Sequence, residues 1–312
     1  MSEQAGWERK VLENLATESL KEQRRRRRWG IFFKLIVVAY VGFFLWMVWQ
    51  GRSTDGGADG GAHTAVIEIK GVIAPDGEAS AANVNAALRD AFKNDAAKGV
   101  VLKINSPGGS PVQAGQIYDE IKRLKATRPN LPVYAVVEEL CASGGYYIAA
   151  GADKIYVDKA SMIGSIGVIM NGFGFTGTME KLGVERRALT SGENKAFLDP
   201  FQPQVPSQVE HAKEMISEIH AQFIDAVRKG RGKRLHETPD MFSGLVWTGA
   251  KSIELGLADA TGNVRSVARD VIKAETLRDY TEREPVFERV ARRFGGAAAS
   301  SFLGGLFESQ YR

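Results

Sequence analysis

The sequence predicts an α/β domain, a parallel sheet under helical cover, preceded by one N-terminal transmembrane helix. Two patterns predict it. From Thr64 onward, short β-branched runs alternate with segments of helical period, as strands joined by crossover helices do. Ahead of them, Ile31–Trp49 is nineteen residues long with Lys34 as its single charge. A third observation points to chemistry. Ser143 and Lys195 each sit in a glycine-rich motif.

Residues 1–23 read as a short amphipathic helix, with Trp7, Val11, Leu12, Leu15 and Leu20 near helical spacing. They open a basic arm, residues 1–30. The apolar run that follows, residues 31–50, would span roughly 28 Å as a helix, close to the hydrocarbon thickness of a bilayer. Lys34 can snorkel to the headgroups, and Trp29, Trp46 and Trp49 bracket the run as interfacial aromatics do. Lys21 and Arg24 to Arg28 precede it and only Arg52 follows closely. The positive-inside rule therefore puts the N-terminus in the cytoplasm and everything after residue 50 outside. A cleaved signal peptide is the competing reading. The run is longer than an h-region, however, and ends in bulky Trp-Met-Val-Trp rather than a small-x-small site.

Charge sharpens this topology. Residues 1–34 hold nine Lys/Arg and five Glu, so the arm carries net +4, equal to the +4 of the whole chain. The remainder is near neutral, which argues against nucleic-acid binding; the arm can touch anionic lipid instead. Cys141 is the only cysteine, so an intrachain disulfide is impossible. The histidines at 63, 211, 220 and 236 show no metal-ligand spacing.

Residues 51–63 are rich in Gly, Ser and Asp and read as a flexible tether. Thr64–Lys70 is a strand candidate and Ser80–Asn94 a helix. Gly99–Ile104 is a buried strand, Asn105-Ser-Pro-Gly-Gly109 a turn, and Pro111–Ala126 a helix opened by proline in its first turn. Leu131–Glu138 and Lys154–Val157 are further strands, flanking a small, apolar helix at Ser143–Gly151. Ser161–Gly183 is rich in glycine and apolar residues. Ser207–Gly230 is a long amphipathic helix whose stripe runs Val209, Ala212, Ile216, Ile219, Phe223, Val227. His211 lies off that stripe and His220 at its margin, which marks both as surface or boundary residues. Thr248–Leu257 and Val264–Leu277 are expected helices, and residues 286–312 form a Gly/Ala/Ser-rich tail containing Phe302-Leu-Gly-Gly-Leu-Phe307.

Amide hydrolysis needs a nucleophile, a base and oxyanion donors. Ser143 follows a hydrophobic strand and precedes a helix, where backbone N–H groups favour developing negative charge. Gly144 and Gly145 let a peptide approach closely. An ordinary N-cap serine is the plain alternative. Lys195 can act as base only if neutral, a pKa depression of about three units or roughly 4 kcal/mol, which burial away from carboxylates supplies. Gly109, after a parallel strand, can aim an amide N–H into the site, and Ser165 offers a second hydroxyl. A phosphate cradle fits Asn105–Gly109 less well, because no Lys-Ser/Thr follows. Cys141-Ala-Ser-Gly-Gly145 approaches the G-x-S-x-G elbow of α/β-hydrolases, with Cys141 where the first Gly belongs.

Four motifs in order, Asn105–Gly109, Ser143-Gly-Gly-Tyr-Tyr147, Gly164-Ser-Ile-Gly-Val168 and Ser191-Gly-x-x-Lys195 with Pro200-Phe201, carry a resemblance. The chain resembles the short-form signal peptide peptidases of the S49 family of membrane-anchored serine peptidases, over about residues 64–270. The resemblance implies a Clp-protease/crotonase-like fold of repeated ββα units in a peptidase domain of residues 64–285. It also implies a Ser143–Lys195 dyad, an oxyanion role for Gly109 with the Ser143–Gly144 turn, and a supporting role for Ser165. It further implies a homo-oligomeric ring at the bacterial inner membrane, with extracytoplasmic sites that take leftover signal peptides and need no cofactor. Ala196 departs from the acidic residue common after the family's lysine. A noncatalytic crotonase-like membrane scaffold, a Ser-His-Asp hydrolase and acyl-CoA chemistry remain the alternatives.

Overall fold

The computed structural model describes residues 24, 25, 27–44, 46 and 61–283. The chain divides into Met1–Gly60 and Gly61–Arg312. In the first unit residues 27–44 are helical with exposed side chains. Among the described residues no helix is long and apolar enough to cross a membrane. The span expected over 31–50 runs past them at 45 and 47–50. The amphipathic segment 1–23, most of the tether and the tail from 284 also lie outside the described residues.

The second unit opens with β1 (His63–Lys70), α1 (Ala81–Lys93), β2 (Ala97–Ser106), α2 (Pro111–Thr127), β3 (Val133–Ala142) and α3 (Gly144–Ala149). Each boundary has a local cause. The Ser80 hydroxyl accepts from Asn83 N at the start of α1, and Ser110 does the same from Gln113 N before Pro111 at the start of α2. Then come β4 (Lys154–Val157), β5 (Met162–Gly164), α4 (Thr176–Leu182) and the long α5 (Pro206–Arg231). The chain closes with β6 (Val246–Thr248), α6 (Gly249–Glu254), β7 (Ala260–Thr261), α7 (Val264–Ser266) and β8 (Leu277–Asp279).

The sheet runs β6-β5-β3-β2-β1-β8, and β4 joins β3 to β7. β3 shares one edge between two partners: Tyr134–Val136 pair with β4, and Leu140–Ala142 pair with β5. Among the described residues every pairing is parallel except β5 with β6. That single antiparallel pair makes the sheet mixed where the alternation of elements predicted a parallel one.

Most of the core lies between one sheet face and the helices. Ala65, Ile67 and Ile69 of β1 and Leu102 and Ile104 of β2 pack there with Leu88, Ile117 and Ile121, all with no exposed surface. A smaller cluster of Val101, Val136, Tyr156 and Val267 covers part of the opposite face. Burial on both faces explains why β2 reads as the continuous run Gly-Val-Val-Leu.

Two expected helices are corrected. Thr248 ends β6 and caps α6, its hydroxyl accepting from Lys251 N at 3.3 Å, so the helix expected over Thr248–Leu257 shortens to Gly249–Glu254. The helix expected over Val264–Leu277 is one α turn that widens into a π-helical stretch, Val267–Ile272, and stops at Lys273 (φ 64). Leu277–Asp279 then leaves as a strand beside β1.

Candidate active site

The site is built at the carboxyl ends of β2 and β3, where ligands of parallel sheets gather. The register between these strands slips between Ile104/Val137 and Ser106/Cys141. The slip brings the turn after β3 beside the turn after β2. Ser143 occupies the first turn with φ 51 and ψ −122, a backbone that costs a non-glycine residue about 1 kcal/mol or more. Neighbours hold it there. Its N–H donates to Gly164 O at 2.8 Å and its carbonyl accepts from Tyr147 N at 3.0 Å. Among the described residues the hydroxyl has no hydrogen-bond partner and makes no cap bond.

The turn after β2 is fixed by a serine inside its motif. Buried Ser106 donates its hydroxyl to Gly71 O at 2.6 Å and accepts from Gly108 N at 3.1 Å. Ile73 N donates to Gly108 O and Ser110 N to Ile73 O, both at 2.8 Å. The two glycines are required by contact. A Cβ on Gly108 (φ 98) would lie 2.7 Å from Ser143 Cβ, and one on Gly109 (φ 147) 2.2 Å from Ile73 O. Gly109 N lies 3.4 Å from where a Cβ on Gly144 would stand, so the two residues adjoin. Among the described residues neither the Gly109 nor the Gly144 N–H donates to a protein acceptor. The cavity beside Ser143 is therefore lined by two residues with unclaimed N–H groups, the kind of donor that can stabilise a tetrahedral oxyanion.

Ser143, Gly109, Gly144 and Ser165 line one cavity of about 540 Å³. Ser165 (φ 50) is held by its N–H, which donates to Leu245 O at 2.7 Å. Tyr147 of α3 and Ile219 and Phe223 of α5 form a mainly apolar wall with Gln222 beside them, and Gly167, Val168, Ile169, Ser243 and Gly244 are among the other lining residues. The Tyr147 and Phe223 rings meet at 5.0 Å. Behind them Tyr146 is fully buried and donates its hydroxyl to Leu257 O at 2.8 Å. Burial pushes the Tyr146 phenol and the Cys141 thiol far up from their ordinary values, so both stay protonated.

Lys195 is not in this cavity. It lies on the exposed segment between α4 and α5, its N–H donating to Gly192 O at 3.1 Å. Glu193 and Ala196 beside it line a separate hollow of about 230 Å³. None of the four histidines lines the Ser143 cavity either. His211 is exposed near Glu214, His236 bonds Glu254 O, and buried His63 bonds Gly61 O and the Tyr280 hydroxyl. His220 is half-buried and bonds Ile166 O. The α5 wall and the Ser243–Gly244 turn were missed in the sequence. Ile219 and Phe223 share the helical stripe of core residues, so their spacing reads as packing alone.

Fold and cavity together define a Clp-protease-like α/β protein with a serine at a strained strand-to-helix turn. The Clp protease model matches residues 65–170 and the model of peptidase family S49 matches residues 125–278. Residues 125–278 are thus similar to peptidase family S49. A Brucella abortus protein named Na(+)/H(+) antiporter NhaA is 44% identical over 209 residues, 65% of this chain and 28% of that protein. An Enterococcus faecium protein named for signal peptide peptidase SppA is 31% identical over 223 residues, 69% of this chain and 64% of its own length. Protease 4 of Haemophilus influenzae is 30% identical over 224 residues, 68% of this chain and 34% of its own length. The chain thus spans less than a third of the Brucella protein and less than two thirds of the Enterococcus one.

Proposed function

We propose that this chain is a membrane-anchored serine endopeptidase in which Ser143 is the nucleophile and Lys195 the general base. The observation that carries the reading is the unpartnered Ser143 hydroxyl, held at positive φ next to the free N–H groups of Gly109 and Gly144. Neutral Lys195 Nζ takes the Ser143 proton as Oγ attacks the peptide carbonyl. The oxyanion sits on the Gly109 and Gly144 N–H groups. Lys195 then returns the proton to the leaving amine, and a water releases the acyl group from Ser143 by the reverse sequence.

A base of this kind must be shielded from water, and Lys195 is exposed in the single chain. The residues on both sides of α4 also expose large apolar side chains, with Ile169, Phe173 and Leu189 each more than four-fifths exposed. Such a surface is buried in assemblies. The reading therefore includes a homo-oligomeric ring in which Lys195 of one copy reaches Ser143 of the next. Anchoring through residues 31–50, an extracytoplasmic domain of residues 64–285 and residual signal peptides as substrates belong to the same proposal. The apolar cavity wall supports an apolar substrate, and the basic arm supports contact with anionic lipid.

The test is labelling of full-length protein by a fluorophosphonate that reacts with activated serines. The expected result is one adduct on Ser143, lost in Ser143→Ala together with peptide cleavage. Folded protein that takes no adduct and cleaves no peptide would favour a noncatalytic scaffold, the reading that the exposed Lys195 otherwise supports.

A further inference from the structure

We propose that His220 is a positioning residue for the cleft: its Nε2–H holds the Ile166 carbonyl and so sets the wall against which substrate lies. The inference rests on the peptidase reading above. Ile166 follows Ser165 in the segment that closes one side of the cavity. This segment has an unusual backbone, with Gly164 at φ 113 and Ser165 at φ 50, and belongs to no regular element beyond Gly164. Its bonds are therefore few and identifiable. Toward the β6 side, Ser165 N donates to Leu245 O at 2.7 Å, and Gly167 packs so closely that an added Cβ would lie 3.1 Å from Gly244 Cα. Toward α5, the connection is His220 Nε2 to Ile166 O at 3.1 Å. A carbonyl only accepts, so the imidazole donates, which fixes the neutral ring as the Nε2–H tautomer.

The position of this bond gives it leverage. Gly164 O receives the N–H of Ser143, while Ser165, Gly167, Val168 and Ile169 line the cavity one to five residues further on. On α5, Ile219, Gln222 and Phe223 line the same cavity on either side of His220. The Phe223 ring already fixes α5 to the nucleophile's helix through Tyr147. His220 fixes α5 to the opposite wall. Together the two contacts hold the width of the cleft between the nucleophile and the 165–169 segment. Without the donor, the buried Ile166 carbonyl is left without a partner, a cost that favours a rearrangement of the segment around it. The wall then moves while the Ser143 turn, bonded independently at Gly164 and Tyr147, stays in place.

The substitutions that test this exploit atom positions. A glutamine amide nitrogen falls near the place of imidazole Nε2, an asparagine nitrogen falls short near Nδ1, and phenylalanine keeps the ring without a donor. In full-length protein, His220→Phe and His220→Asn are expected to raise KM for peptides about ten-fold, the loss of one hydrogen bond, with fluorophosphonate labelling of Ser143 within about two-fold of wild type. His220→Gln is expected to restore KM to within about two-fold. Amide hydrogen exchange over residues 164–169 should quicken in the Phe and Asn variants and return in the Gln variant. An unchanged KM in His220→Phe overturns the inference, as does a Gln variant no better than Asn. Wild-type protein that neither labels nor cleaves sinks the peptidase reading instead, and the exchange pattern then decides separately whether His220 holds the segment.

Discussion

The two halves of the proposed dyad live in unlike parts of the molecule. Ser143 joins a buried strand to a buried helix, and its turn packs on Gly108 and Ser106, which is wholly buried. Lys195 belongs to a segment in which almost every residue from Ile169 to Lys195 is exposed. That segment has order of its own. Arg186 Nε donates to Asp199 Oδ2 at 2.7 Å, Phe175 stacks on Phe201, and the Gln208 side chain bonds both Asn194 and Leu198 N. Yet it adds no residue to the main hydrophobic core between Ile166 and Phe223. On the proposed reading, a single chain completes the nucleophile and oxyanion half of the site and leaves the base half on its outside. Water exclusion around the lysine becomes, on the same reading, a property of the assembly.

Helix α5 connects the two regions and changes character along its length. From Pro206 to Gln222 only Ala212 is fully buried, whereas Phe223, Ala226, Val227 and Arg231 enter the core. Its inner end is tied by charge. Arg231, 1% exposed, donates to Asp259 Oδ2 at 2.8 Å and to Gly256 O at 2.8 Å, and Arg234 reaches Asp259 Oδ1. The largest effect on the inner region should come from here. Arg231→Ala leaves the partly buried Asp259 with only Arg234 and the Ile155 N–H, and chemical denaturation should show a loss of about 2–3 kcal/mol. Burial pulls the Asp259 carboxyl up, but Arg231, the Ile155 N–H and Arg234 outweigh it and hold the group below its ordinary value. Its folded value is the depressed one. The stabilisation is therefore present above the ordinary carboxylate pKa near 3.9 and is lost as pH falls through the lower folded value. In wild type the acid transition should steepen below about pH 4, and Arg231→Ala should remove that component.

Gly109→Ala probes the proposed oxyanion donors. The added methyl would lie 2.2 Å from Ile73 O, so the Gly109 amide must rotate out of place. Steady-state kinetics should show kcat down about 10²–10³-fold, the cost of one such donor. A variant within two-fold of wild type would remove Gly109 from the chemistry.

The smallest effect on stability belongs to the outer region. Leu189 is fully exposed, so Leu189→Ser should change the unfolding free energy by no more than about 0.5 kcal/mol. The same change should weaken the assembly, seen as a shift to smaller species in analytical ultracentrifugation. A destabilised chain with unaltered assembly would reverse the contrast between the regions.

The same contrast governs what could be read from the sequence. Strands β1 to β4 and helices α1, α2 and α5 were legible within a few residues, because each is long enough for its period to show or is punctuated by a cap such as Ser80 or Ser110. The strands β5, β6, β7 and β8 were not, since two or three residues hold no period and their pairing partners are distant in sequence. At the site, Ser143, Gly109, Gly144 and Ser165 were legible as motifs because backbone turns demand small residues at fixed places. Ser106 was hidden inside its motif as an ordinary turn serine. The α5 wall and the His220 bond arise from tertiary packing across some fifty residues and left no local mark. The exposure of Lys195 could not be read either, because the expected burial is set by what surrounds the loop.

The most direct measurement mixes two inactive chains. Ser143→Ala supplies an intact lysine and Lys195→Ala an intact serine, and each alone should lose peptide cleavage by at least about 10⁴-fold. Co-assembled, they should recover cleavage, because the lysine of one copy meets the serine of another. Mixed assemblies that stay as inactive as either parent, or a Lys195→Ala chain that cleaves peptides by itself, would contradict the account.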